Sequence, residues 1–263
     1  MTAPADHPPN PAAVILAAGK GTRMGSDLAK VLHEVAGKPM LHWVIEACRA
    51  VGASPIVVVV GYQADKVIDL FDGQLDLRFV HQREQLGTGH AARMAEPVLA
   101  DHTGDVLVLN GDGPLIRDAT LTALLDTHRA QQADGTLATS RLDDPTGYGR
   151  VIRDADGQLV AIVEQKDATP DQLAVNEVNP NYLCYRTPAL LESLGKLSSD
   201  NAQGEYYLTD VPRLVREAGG TIAVVDAVPP QDVLGINTPT QLAEVDAILR
   251  DRLGLPATQE AAP

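Results

Sequence analysis

Residues able to handle phosphate and a hard cation are spread along the chain at points where apolar runs end. The stretch VILAAGKGTRM, residues 14–24, carries an apolar run into a loop with Gly19, Lys20, Gly21 and Arg23, and Lys30 follows shortly. Glycines let backbone N–H groups approach phosphate oxygens. An arginine can grip a phosphate with two parallel hydrogen bonds, and a lysine supplies a mobile point charge. The loop has no G-x-x-x-x-G-K-[ST] spacing, and Met24 stands where a dinucleotide fingerprint needs its last glycine. On its own the loop therefore reads either as a phosphate cradle or as a tight turn with solvated cations. NGDGPLI (110–116) offers Asp112, a hard oxygen ligand of the kind Mg²⁺ takes alongside substrate phosphates, or else a turn aspartate ahead of Pro114. In VLGINTPTQLAEV (233–245), Thr238, Pro239 and Gln241 fit the N-cap, N1 and N3 positions of a helix. Asn237 is left just ahead of that cap, as a turn residue or a second oxygen ligand. HQREQLGTGHA (81–91) presents Gln82, whose amide has both a donor and an acceptor for a base edge. Gly87, Thr88 and Gly89 then open a helix. The seven histidines show no paired ligand spacing, and there is no G-x-S-x-G, so covalent catalysis is not indicated.

Something must hold these residues in place, and the hydrophobic pattern says what. AAVILAA (12–18), PIVVVVG (55–61) and DVLVLNGD (105–112) are apolar without alternation, as strands covered on both faces are, and LRFVHQ (77–82) is strand-like. Between them, helices are expected over 39–52, 64–71, 89–99 and 118–133, the first with Leu41, Val44, Ile45 and Cys48 on one face. Strand and helix in alternation imply right-handed crossovers and a doubly wound, mainly parallel α/β sheet. Such sheets bind ligands at the C-terminal ends of their strands, where all these motifs fall. After residue 135 the character changes to strands joined by turns: GTLATSRL, GRVIRDADGQLVAIVEQ, EVNPNYLCYR and later TIAVVDAV, with helices over about 207–218 and 239–252. No linker divides the chain. The expected organisation is one domain over 11–252, its first half to about 134 facing a nucleotide and its second adding further pocket walls. Flexible tails are expected at 1–10 and 253–263.

Bulk properties narrow the function class. The chain has 263 residues, 44% hydrophobic, and a formal net charge of −14. That disfavours a nucleic-acid-binding domain, which would show a basic surface, but leaves room for a nucleotide held by a few focused cations. Cys48 and Cys184 fit no zinc or redox spacing and read as buried thiols. The N-terminal residues lack a signal-peptide pattern and no apolar run reaches membrane-spanning length, so the expectation is a soluble cytoplasmic protein with no membrane partner.

Taken in order, LAAGKGTRM, EQLGTGHA, LDDPTGYGRV, IVEQKDAT and NAQGEYYLTD resemble the sugar-1-phosphate nucleotidyltransferase family. Within it, they resemble the uridylyltransferase half of the bacterial bifunctional N-acetylglucosamine-1-phosphate uridylyltransferases. The resemblance runs over about residues 12–250 and implies a Rossmann-like fold of the nucleotide-diphospho-sugar transferase type, with extra strands on the sugar side. It implies that Leu16, Ala17, Ala18, Gly19 and Gly21 wrap the UTP phosphates, with Arg23 and Lys30 as catalytic cations. It further implies that Gln82, Gly87 and Thr88 read uracil, and that Asp112 and Asn237 hold Mg²⁺. Gly149, Glu164 and Asn179 would bind the amino sugar, with Tyr207 and Thr209 nearby. The implied reaction is uridylyl transfer from UTP to N-acetylglucosamine 1-phosphate, releasing pyrophosphate.

The chain departs from the family pattern in places. Ala29 precedes Lys30 where proline is common, Gly113 follows Asp112 where a larger residue is frequent, and Pro180 and Asn181 follow Asn179 where a small residue and glycine are usual. No hexapeptide repeat follows residue 230, so acetyl transfer by a left-handed β-helix is not expected of these residues. A different sugar or nucleotide is the alternative within the fold. A non-catalytic sensing subunit is the alternative outside it, but such a protein should have lost some of Arg23, Lys30, Asp112 and Asn237, all of which are present.

Overall fold

The structure is a computed structural model and describes residues 9–257. The tails expected over 1–10 and 253–263 lie largely outside the described residues. In chain order the elements are β1 (Ala12–Ala17), the two-residue strands β2 (Glu34–Val35) and β3 (Lys38–Pro39), α1 (Met40–Ala50), β4 (Ile56–Val60), α2 (Ala64–Leu70) and β5 (Leu77–His81). Then come α3 (Thr88–Arg93), α4 (Glu96–Leu99), β6 (Asp105–Asn110), α5 (Asp118–Ala130) and β7 (Gly135–Arg141). The rest is β8 (Gly149–Arg153), β9 (Leu159–Val163), α6 (Pro170–Leu173), β10 (Glu177–Arg186), α7 (Thr187–Gly195), α8 (Val211–Glu217), β11 (Ile222–Asp226) and α9 (Pro239–Arg252).

Among the described residues nine strands form one sheet, whose main path runs β11-β7-β10-β6-β1-β4-β5. β1 lies parallel to both β4 and β6, β4 to β5, and β11 to β7. The apolar runs of β1 and β4 are continuous because both of their faces are covered. Ala13, Ile15, Ala17, Val58 and Val60 pack with Leu41, Val44, Ile45 and Cys48 of α1 on one side. Ala12, Val14, Val57 and Val59 pack with Ala91 and Ala92 of α3 and with Leu190 and Leu194 of α7 on the other. Strand order reverses about β1, with β4 on one side and β6 on the other, which opens a crevice at their C-terminal ends. β10 is the exception to the parallel reading, running antiparallel to both β6 and β7. Its first residues also pair with β8, and β8 pairs with β9, so a hairpin is hung on the sheet beside that crevice.

Some elements differ from the sequence pattern. The helix expected over 89–99 is two short helices, α3 and α4, separated at Met94 and Ala95. The one expected over 207–218 begins as a 3-10 turn at Leu208–Asp210 before α8. The sequence pattern does not mark helix α7, because TPALLESLG has Pro188 near its start and follows β10 without a loop; proline is tolerated in a helix's first turn. Cys48 and Cys184 are buried and unpaired.

Candidate functional site

The loop after β1 is shaped by its glycines, and the two do different work. Gly21 has φ of 70°, and a Cβ there would lie 2.6 Å from Lys30 Cβ. Its lack of a side chain lets the Lys30 stem pass, so Gly21 serves the cleft from beneath rather than lining it. Gly19 has nothing within 4 Å of a built Cβ and does line the cleft. Ala29 takes the proline-like dihedrals φ −54° and ψ 133°, while its N–H, which proline would lack, donates to Gln63 Oε1 at 3.0 Å. The backbone that aims Lys30 is thus kept by a side-chain anchor.

Lys30 Nζ donates to Asp112 Oδ2 and, at 2.7 Å, to Asn237 Oδ1. Asn237 Oδ1 also accepts from Arg23 Nη2 at 2.9 Å. Four residues from three distant parts of the chain therefore meet at one point. Asp112 is brought there by the turn after β6, whose Gly111 N–H donates to Leu16 O at the end of β1. Asn237 is held by the start of α9. Thr238 caps that helix by accepting from Gln241 N, but the Gln241 side chain accepts from Asn237 N at 2.8 Å, one residue before the cap. The capping pattern read from the sequence thus also fixes the candidate ligand.

Two cavities adjoin at this point. One, of about 270 Å³, is lined by Leu16, Ala17, Ala18, Gly19, Lys30, Gln82, Gly87, Thr88 and Asp112, among others. Gln82 is buried, and its Nε2 donates to Gly87 O at 3.1 Å and His90 Nδ1 at 3.0 Å. Both amide hydrogens are spent, so His90 Nδ1 is an acceptor and Gln82 Oε1 is left to accept. Gly87 has φ of 109°, and a Cβ there would lie 2.5 Å from Tyr206 O, so the 203–208 segment closes against this loop only because residue 87 is glycine. Thr88 Oγ1 accepts from Leu208 N at 3.0 Å in the same contact.

The second cavity, of about 320 Å³, has Arg23, Thr88, Asp112, Gly149, Glu164, Asn179, Tyr207 and Asn237 in its walls. Glu164 comes from just beyond β9. Burial pushes its carboxyl above the usual range, the hydrogen bond from Thr209 Oγ1 at 2.9 Å works against this, and the nearby acids Asp167, Asp210 and Glu205 push it further up. Thr209 itself is buried behind Glu164 and lines neither cavity. The sequence pattern does not single out Glu205, Gln85, Tyr148 or Tyr182. Glu205 lines both cavities, Gln85 the first, and the tyrosines the second. Gln85, Glu205 and Tyr148 lie within the motifs EQLGTGHA, NAQGEYYLTD and LDDPTGYGRV, which are the available signal; Tyr182 lies in none of the five motifs and carries no polar pattern that marks it. Gly113 admits Tyr182, whose hydroxyl would lie 3.2 Å from a Cβ at that position.

The donor set suits magnesium. Two hard oxygens, a carboxylate and an amide carbonyl, converge on one place where a cation, Lys30 Nζ, already sits. Mg²⁺ characteristically takes one or two such protein ligands and fills its octahedron with phosphate oxygens and water. No group of three or more His, Cys, Asp or Glu side chains that could hold a metal gathers anywhere among the described residues, so any metal here would rest on one carboxylate, one amide and the substrate phosphates.

A crevice at a strand-order reversal, with cations and a hard-cation site between a nucleotide-sized cavity and a second polar one, defines the class: a nucleotidyltransferase domain. Comparison with known sequences gives the family. Residues 13–215 match the MobA-like NTP transferase domain, and the chain belongs to that family. It is 48% identical over 244 residues to the bifunctional protein GlmU of Pelobacter propionicus, covering 93% of this chain and 53% of that one. It is 49% identical over 245 residues to the GlmU of Trichlorobacter lovleyi, again covering 93% and 53%. With the GlmU of Geobacter metallireducens it is 48% identical over 242 residues, 92% and 51% of the two chains. The chain spans about half the length of the curated relatives it matches. The resemblance read from the five motifs thus holds, and the fold is the mixed, mostly parallel α/β sheet of the nucleotide-diphospho-sugar transferases. No helix among the described residues is long and apolar enough to cross a membrane.

Proposed function

We propose that the chain transfers a uridylyl group from UTP to N-acetylglucosamine 1-phosphate in the cytoplasm, giving UDP-N-acetylglucosamine and pyrophosphate. The observation that carries the proposal is the meeting of Arg23, Lys30, Asp112 and Asn237 at the junction of the two cavities. In this reading the first cavity holds the nucleotide. Gln82 Oε1 accepts from the N3–H of uracil; cytosine has an acceptor there and would face oxygen against nitrogen lone pair. Gly87 and Thr88 close on the base, and residues 16–19 lie along the triphosphate. The sugar 1-phosphate occupies the second cavity, against Gly149, Glu164, Asn179 and Tyr207.

A phosphate oxygen of the sugar 1-phosphate forms a bond to the α-phosphorus of UTP. The bond from that phosphorus to the oxygen bridging to the β-phosphorus breaks, and pyrophosphate leaves with the electron pair. The nucleophile is already ionised at neutral pH, so no side chain need remove a proton. Catalysis is positioning and charge neutralisation. Arg23 grips phosphate oxygens, and Lys30 moves its ammonium from Asp112 and Asn237 to the triphosphate. Magnesium held by Asp112 and Asn237 would supply further neutralisation of phosphate charge. A nucleotide panel tests this reading. With Mg²⁺ and N-acetylglucosamine 1-phosphate, pyrophosphate release should be fastest with UTP over CTP, ATP and GTP. No release above that of Lys30→Ala with any of them would overturn it.

A further inference from the structure

We propose that Asn181 is a specificity-determining residue of the sugar cavity, fixing Asn179 and setting a row of N–H donors that selects an acyl or hydroxyl oxygen over an ammonium group on the hexose. The proposal rests on the uridylyl-transfer reading for the identity of the cavity and goes beyond it in naming what this wall selects.

Three observations carry it. First, Asn181 has φ of 62°, the left-handed region that glycine favours and that asparagine tolerates better than other side chains. The pairing of β10 with β7 shifts register between Val178 and Tyr182, so residues 179–181 bulge out of the ladder, and Pro180 has no N–H for the ladder to lose. Second, Asn179 and Asn181 are locked to each other. Asn181 N donates to Asn179 Oδ1 at 3.1 Å, which settles which end of the Asn179 amide is oxygen. Asn179 Nδ2 then donates to Asn181 Oδ1 at 2.7 Å. Third, both side chains belong to the wall of the second cavity, which Glu164 also lines.

The donor count decides the chemistry. Each carboxamide nitrogen has two hydrogens. Asn179 spends one on Asn181, and among the described residues neither the other nor the two of Asn181 meets an acceptor. The Asn179–Asn181 pair therefore offers N–H groups to the cavity. A ring substituent ending in a carbonyl or hydroxyl oxygen satisfies them, and an ammonium group, which only donates, leaves them unpaired in a confined site. Asparagine at this position tolerates the left-handed backbone and brings the amide that makes this selection.

The test uses three sugar 1-phosphates that differ at one ring position: N-acetylglucosamine, glucosamine and glucose. With saturating UTP, kcat/KM is measured for each in the wild type, Asn181→Gly and Asn181→Asp. Glycine suits φ of 62° and leaves the backbone unstrained, so thermal melts should show both variants folded. We expect the acetamido-to-ammonium ratio to fall about tenfold in Asn181→Gly and further in Asn181→Asp, where a carboxylate replaces the donors, with KM for UTP unchanged within twofold. Ratios within twofold of wild type in both variants would overturn the assignment and leave Asn181 as a backbone device alone. A change in KM for UTP without a change in the ratio would overturn it equally. Wild-type turnover of none of the three would overturn uridylyl transfer itself, and this assignment with it.

Discussion

Gly21→Ala is the substitution whose consequence the structure fixes most closely. The new Cβ would lie 2.6 Å from Lys30 Cβ and 3.1 Å from its Cγ and Cδ, where ordinary contact begins at 3.4 Å. The Lys30 stem must therefore move by about 0.8 Å, the difference between 3.4 and 2.6 Å, and it meets the clash at its base, where it cannot swing aside. Holding a non-glycine residue at φ of 70° adds roughly 1–2 kcal/mol of strain. In a domain of this size that lowers Tm by about 4 °C. A displacement of about 1 Å in a group that positions reacting phosphates lowers the rate roughly 10²-fold. Gly19→Ala is the matched control, since a Cβ there meets nothing within 4 Å. It should leave Tm unchanged and, on the proposed function, raise KM for UTP, because its methyl group enters the first cavity. Thermal melts by circular dichroism and steady-state pyrophosphate release read both effects. A Gly21→Ala protein with kcat within twofold of wild type and an unshifted Tm would refute the assignment of Gly21 to the passage of Lys30, as would a Gly19→Ala protein that melts lower than Gly21→Ala.

Other expectations follow from the same geometry. Asp112→Asn should lose turnover by at least about 10²-fold and lose Mn²⁺ binding by electron paramagnetic resonance, while its circular dichroism stays native. Because the Glu164 carboxyl is held above its ordinary value by burial and by neighbouring acids, the folded state binds that proton more tightly than the unfolded one. Stability from this group is fully present below the usual glutamate value of 4.5 and is lost as pH rises through the folded value, so Glu164→Gln should out-melt wild type at neutral pH and match it near pH 4. Glu177 is the opposite case. Burial pushes its pKa up, but the hydrogen bonds from Arg153 and Thr139 and the charges of Arg153 and Arg141 outweigh burial and hold it down. Its contribution is present above 4.5 and lost as pH falls through the lowered value; Glu177→Gln should cost about 3 kcal/mol in urea unfolding at neutral pH, with the gap closing in acid.

How far the sequence carried these conclusions differs by element. The strands buried on both faces and the long amphipathic helices were legible, because an uninterrupted apolar run such as IVVVV or a one-sided face such as Leu41, Val44, Ile45 and Cys48 reports its own burial. The antiparallel course of β10 was not, since its apolar residues serve a strand buried on both faces in either direction. The ligand-type residues Arg23, Lys30, Asp112 and Asn237 were legible by chemistry, but their convergence was not. Nothing in NTPTQ indicates that Gln241 reaches past the cap to hold Asn237, or that Lys30 bridges two oxygens more than 80 residues away. The role of Asn181 was least accessible. The sequence offers only an asparagine where glycine is usual, whereas the structure shows a left-handed residue whose side-chain oxygen accepts from the Asn179 amide.

The central claim is nucleotidyl transfer between two phosphorylated substrates that meet at Asp112. Phosphorus-31 NMR of the chain with UTP, Mg²⁺ and N-acetylglucosamine 1-phosphate tests it most directly. The account predicts that the sugar phosphate resonance declines as those of a nucleotide-sugar diphosphate and of pyrophosphate rise in equal amounts. Unchanged spectra, or conversion of UTP to UDP and inorganic phosphate with the sugar phosphate untouched, would contradict it.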